Sequence, residues 1–127
     1  MTTAEVAQKL TSLCQEGKFN EAMEATYAKN IVSVEAFDRP TPPGMPQTGR
    51  EIRGLDNVRK KAEWWSENHI IHSCKVTGPF ASMEKFSVIF DLDCTFKPAN
   101  KRQQMCEVAV YTVENGKIVH EEFLYKT

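Results

Sequence analysis

Apolar residues recur at helical intervals near the start of the chain and at every second position over its last half, with a breaker-rich stretch between. Val6, Leu10, Leu13 and Cys14 fall on one face of a helix, Thr2 and Glu5 have the spacing of a capping box ahead of it, and Gly17 ends it. A second helix is expected to begin near Asn20, a good N-cap. It carries Phe19, Met23 and Tyr27 at four-residue spacing and stops around Lys29 and Asn30. The two helices read as a hairpin. Residues 31–37, rich in β-branched side chains, then suit one strand.

Pro40, Pro42, Pro43, Gly44, Pro46 and Gly49 crowd residues 38–53. So many breakers predict a loop without regular structure, long for an ordinary connection and of the kind that often covers a site. Leu55, Val58, Ala62 and Trp65 share a helical face, with Arg59, Lys60, Lys61 and Glu63 mostly elsewhere, which predicts a third helix over 56–68. The period then changes to two. Ile70, His72, Cys74 and Val76 alternate with Ile71, Ser73, Lys75 and Thr77 until Gly78 and Pro79 interrupt the strand. A longer strand sets Phe86, Val88, Phe90, Leu92, Cys94 and Phe96 against Ser87, Ile89, Asp91, Asp93 and Thr95. After a turn at 97–102, strands over 103–113 and 117–125 are joined by Glu114, Asn115 and Gly116, a strong hairpin signal. Helices come first and strands last. That order predicts an α+β domain over 1–127, with helices on one face of an antiparallel sheet.

Charge narrows the partners. The 127 residues hold 16 basic and 17 acidic side chains for a net charge of -1, so no broad field draws nucleic acid or an anionic membrane, and neither is an expected partner. No apolar run is long enough to span a bilayer and the first residues lack the order of a signal peptide, which predicts a cytoplasmic protein. Cys14, Cys74, Cys94 and Cys106 form no CxxC pair and read as reduced core thiols. The only close histidine pair is His69 and His72, and no metal site is expected.

Three segments carry a family likeness: Gly17-Lys18-Phe19-Asn20-Glu21-Ala22, Ile52-Arg53-Gly54-Leu55-Asp56-Asn57-Val58-Arg59 and Glu114-Asn115-Gly116-Lys117-Ile118-Val119. In their order and spacing they resemble the SnoaL-like and ketosteroid-isomerase-like branch of the nuclear transport factor 2-like superfamily. The resemblance implies a cone in which three N-terminal helices pack on a curved, mainly antiparallel sheet and enclose an apolar pocket. It also implies a homodimer paired through the outer sheet face, a small apolar, polyketide-like or steroid-like ligand, and no cofactor. Such proteins include steroid isomerases, polyketide cyclases, dehydratases and non-catalytic binding modules, so fold alone does not assign an activity.

The resemblance places Glu35 where isomerase-like relatives have their general-base carboxylate. Its neighbours Ile31, Val32, Val34 and Phe37 would partly desolvate it. Alternatively it is a rim carboxylate, solvated or paired with Arg39 or Arg50. The position matching the oxyanion-binding tyrosine is Leu10, which argues against steroid isomerisation; the second donor falls near Ala109, with Glu107 two residues earlier on the same strand face. His72, on the apolar side with Cys74 and Val76, is expected to point inward as a proton shuttle or as a hydrogen-bonded core histidine. His69 lines the pocket or caps the third helix. Asp91 and Asp93, about 7 Å apart on one strand side, would pair with His72 if they face the pocket, and are solvated or interfacial otherwise.

On the last strand the resemblance turns Val119, Glu121, Phe123 and Tyr125 inward. Tyr125 and Tyr111 then offer hydroxyl donors and Glu121 another carboxylate, or the tyrosines simply pack. Trp64 and Trp65 are adjacent, so only one can face the core fully; Trp65 is the expected pocket residue. Two functions remain open, beside a third, weaker reading as a purely structural homodimer. One is a cofactor-independent acid-base enzyme acting on an apolar carbonyl compound, which requires Glu35, His72 and one of Asp91, Asp93 or Glu107 to converge. The other is a ligand-binding or dimeric interaction module.

Overall fold

The computed structural model describes residues 1–38 and 49–126. Helix α1 (Thr3–Gln15) opens with both halves of its capping box: the Glu5 N–H donates to the Thr2 hydroxyl at 3.1 Å and the Thr2 N–H to the Glu5 carboxylate at 2.9 Å. Helix α2 (Phe19–Thr26) follows, then strands β1 (Tyr27–Val34) and β2 (Glu51–Arg53), helix α3 (Leu55–Asn68) and strands β3 (His69–Ala81), β4 (Lys85–Phe96), β5 (Lys101–Glu114) and β6 (Lys117–Leu124). The strands form one curved, open sheet in the order β2-β1-β6-β5-β4-β3. Only β1 and β6 run parallel; every other neighbouring pair is antiparallel.

Alternation decides which face of the sheet is covered. On β4, Phe86, Val88, Phe90 and Cys94 are buried, and on β5 Ala109, Tyr111 and Val113 are, so the opposite positions face outward. Helix α1 lies over β3 and β4 and contributes Val6, Ala7 and Leu10 to the core, while α3 covers β1. Burying a side chain the size of Phe86 contributes about 2–3 kcal/mol to this packing.

Three local expectations are corrected and one is sharpened. Tyr27 belongs to β1 and not to α2: it pairs with Ile118 in the sheet, and this long-range pairing outweighs its helical spacing from Met23. Residues 51–53, expected in the loop, form β2 against β1; Arg39, Pro40, Pro42, Pro43, Gly44 and Pro46 lie outside the described residues. Gly78 and Pro79 interrupt the pairing of β3 with β4, as expected, but the strand does not stop there, since pairing resumes at Phe80 opposite Ser87. Ile118, expected on the outer face, is fully buried, since a register shift at Thr112 and Val113 sets it opposite Val113 in the core.

Candidate functional site

Glu35 is the first residue beyond β1. Its N–H donates to the Arg50 carbonyl at 2.9 Å and the Arg50 Nε donates to its carbonyl at 3.0 Å, which fixes the backbone where the chain re-enters the sheet. The carboxylate turns elsewhere. Oε1 accepts from Lys61 Nζ at 2.9 Å and Oε2 from the Tyr125 hydroxyl at 2.7 Å. Lys61 also donates to Ser33 Oγ at 2.9 Å and lies 4.9 Å from the centre of the Phe123 ring, while Phe37 meets Tyr125 edge-on at 5.6 Å. The side chains of Lys61 and Glu35 are 18% and 22% exposed, so this ion pair is partly shielded from water. The two bonds hold both carboxylate oxygens in fixed positions.

The expected alternative partner, Arg50, goes instead to the Glu35 backbone and to the Glu122 carboxylate at 3.8 Å. Lys61 was not among the residues the sequence singled out, because it stands in a basic run that reads as a solvated face. A signal was present: Lys61 is three positions after the buried Val58 and four before Trp65, on the face that α3 turns to the sheet.

Beneath this group lies a second polar cluster. Glu121 is 1% exposed, accepts a short hydrogen bond from the Tyr27 hydroxyl, and is the register partner of the buried Ser33 across the parallel β1-β6 pair. Burial first, and then the Glu121 charge, push both the Tyr27 and Tyr111 hydroxyls well above the ordinary tyrosine range, so both stay protonated. Tyr111 also stacks on Phe86 at 4.8 Å.

The remaining predicted residues do not join Glu35. Pairing on β3 slips between Ile71 and Ser73, so His72 is carried to the outer face, where it is exposed and its Nε2 meets Thr95 Oγ1 at 2.6 Å. The expectation that it points inward with Cys74 and Val76 is corrected by that bulge. Asp91 and Asp93 share the outer face. Asp93 is clamped by Arg102 at 2.8 and 3.0 Å, and this guanidinium holds its carboxyl below the usual range. Glu107 sits opposite Phe90 on the covered face, on the β4 side of the sheet, and Trp65 stacks on His69 at 4.1 Å beside Phe96. The His69 Nδ1 bonds the Trp65 carbonyl at 2.8 Å, closing the end of α3.

With the covered face, the Glu35 group and the element order in place, comparison with known proteins decides the family. A family model described as a SnoaL-like domain matches residues 1–125. The chain belongs to the SnoaL-like family. It is 38% identical to a structure from Mesorhizobium loti described as a candidate SnoaL-like polyketide cyclase and also as a carbohydrate phosphatase; the match covers 98% of this chain and 100% of that one at a TM-score of 0.89. A nuclear transport factor 2-like protein from Burkholderia thailandensis, 20% identical, covers 99% and 92% at 0.76, and a candidate isomerase from Bacillus subtilis, 16% identical, covers 98% and 86% at 0.68. These two share the fold. Among curated proteins there is no match.

Two open hollows lie on the surface of this SnoaL-like domain, of about 500 Å³ beside Asp91, Asp93 and Cys106 and about 380 Å³ between α2 and α3; neither includes Glu35. Among the described residues, no three His, Cys, Asp or Glu side chains are placed to hold a metal ion, and no helix is long and apolar enough to cross a membrane. The surroundings of all four cysteines disfavour the thiolate. Burial pushes Cys14 up to about 12, and a hydrogen bond to Asp91 raises the exposed Cys106. Iodoacetamide at pH 8, followed by peptide mass spectrometry, is expected to label Cys106 slowly and to leave Cys14 unlabelled until the protein unfolds. Equal labelling of the two would contradict this environment.

Proposed function

We propose that this SnoaL-like protein is a cofactor-independent acid-base enzyme of the isomerase, cyclase or dehydratase type, acting on a small apolar carbonyl compound. Glu35 is the base, and Tyr125, whose one O–H donates to Glu35 Oε2, positions that carboxylate. The observation that carries this reading is the partly buried Glu35 carboxylate held between Lys61 and Tyr125 with Phe37 and Phe123 beside it. A carboxylate in such a place is partly stripped of water, which suits it to take a proton from carbon. The candidate cyclase and isomerase descriptions of its relatives agree with this chemistry. His72 is not proposed as the base, since it lies on the other face of the sheet.

The test is deuterium exchange into enolisable ketones, followed by proton NMR over a panel of ligands first found by thermal shift. Exchange above the buffer rate supports the enzyme. Ligands that raise the melting temperature but exchange no faster than in buffer favour the second reading, a non-catalytic binding module. One observation speaks for that alternative: both Glu35 oxygens already have protein partners. A cytoplasmic setting and a homodimer belong to the same proposal, the dimer pairing through the outer sheet face, where Leu124 is 47% exposed. Light scattering at micromolar concentration is expected to give twice the chain mass, and a monomer would remove the dimer.

A further inference from the structure

Lys61 holds a place for which pairing with Glu35 alone does not account. An ammonium has three N–H donors. Ser33 Oγ and Glu35 Oε1 take two of them, each at 2.9 Å, and among the described residues no acceptor takes the third. The nitrogen is confined from several sides: Ser33 below it is fully buried, Phe123 presents its ring, and only 18% of the Lys61 side chain reaches solvent. A cation fixed in this way beside a carboxylate is placed to meet negative charge that develops on a ligand oxygen. Leu10, by contrast, offers no hydroxyl for that purpose.

We propose that Lys61 is the electrophilic group of the site, its third N–H donating to the ligand oxygen, and that the ligands are compounds able to carry a full negative charge there, enolates or phenolates. The proposal rests on the reading of Glu35 as base. In the step it implies, a carbon next to the carbonyl loses its proton to the Glu35 carboxylate. The C–H electron pair forms the new C=C bond, the C=O π pair moves to oxygen, and the resulting enolate oxygen is held by the Lys61 ammonium. Reprotonation at carbon by the Glu35 carboxylic acid restores both protein groups, so no outside reagent is consumed.

Phenols test this because a bound phenolate imitates the enolate, and para-nitrophenol reports its own ionisation by its spectrum. At a pH where free para-nitrophenol is mostly neutral, the wild-type protein is expected to bind it with the phenolate absorption band. Phenolate charge on a charged donor is worth about tenfold to a hundredfold in affinity. Lys61→Met should lose that preference while still binding the neutral, unsubstituted phenol. Glu35→Gln, which removes the competing anion and keeps the ammonium, should strengthen it. Circular dichroism and a thermal melt show whether each variant is folded, and Lys61→Gln serves if the methionine variant is not. A Lys61 variant that is folded and keeps the wild-type phenolate band overturns the assignment, as does a wild type that binds only the neutral form. Failure of the wild type to bind any phenol overturns the reading of Glu35 as the base of a ligand site, and Lys61 with it.

Discussion

Deuterium incorporation into a bound ketone should fall about a hundredfold to ten-thousandfold in Glu35→Gln, the usual loss when a general base is removed. Glutamine keeps the shape of the side chain and can still accept from Tyr125, but its carboxamide is too weak a base to take a proton from carbon, so binding should change far less than turnover. Replacement of the carboxylate also leaves Lys61 without its anion. The proper comparison is therefore Glu35→Gln against Glu35→Asp, which retains the charge but draws it back from Lys61 Nζ and the Tyr125 hydroxyl, now at 2.9 and 2.7 Å. Asp should recover part of the exchange and Gln none. Unchanged exchange in the Gln variant, with ligand bound, would remove Glu35 from the chemistry.

Tyr27→Phe should destabilise the fold by about 2–3 kcal/mol, read from the midpoint of a urea transition. It removes one oxygen, yet the cost exceeds that of an ordinary hydrogen bond because Glu121, 1% exposed, loses a donor in a place where water cannot replace it. The second half of the prediction is a sign. Tyr27→Phe combined with Glu121→Leu should be more stable than Tyr27→Phe alone, since an apolar pair of similar shape leaves no buried charge short of a partner. The recovery is partial, because the Tyr111 hydroxyl lies in the same cluster. A double variant less stable than the single one would show that Glu121 is held by groups other than Tyr27.

Much of the fold was legible because its signals are local. The Thr2 and Glu5 capping box, the alternation from Phe86 to Phe96 and the turn at Asn115 and Gly116, both with positive φ, depend on neighbours in sequence, and each forms where the residues indicate. The misread elements depend on distant ones. Tyr27 has a helical spacing from Met23 that loses to its sheet pairing with Ile118, and His72 has strand parity that a single bulge reverses. The site was legible only in part for the same reason. Glu35 and Tyr125 were singled out with no sign that they touch, and Lys61 was lost in the run of Arg59 and Lys60 because nothing within a few residues betrays a partner 26 positions away.

The parallel pairing of β1 with β6 joins residues about ninety positions apart, and Tyr125 reaches Glu35 just past its end. Closing so wide a loop costs more chain entropy than any hairpin in this sheet, so it belongs to the slow part of folding. The helices, the meander of β3 to β5 and its turns can all form before it. The Glu35 group cannot. A molecule in which β6 has peeled away from β1 keeps most of its secondary structure but has neither Phe123 nor Tyr125 beside Glu35, so the proposed exchange activity would report the final closure and not the helical content.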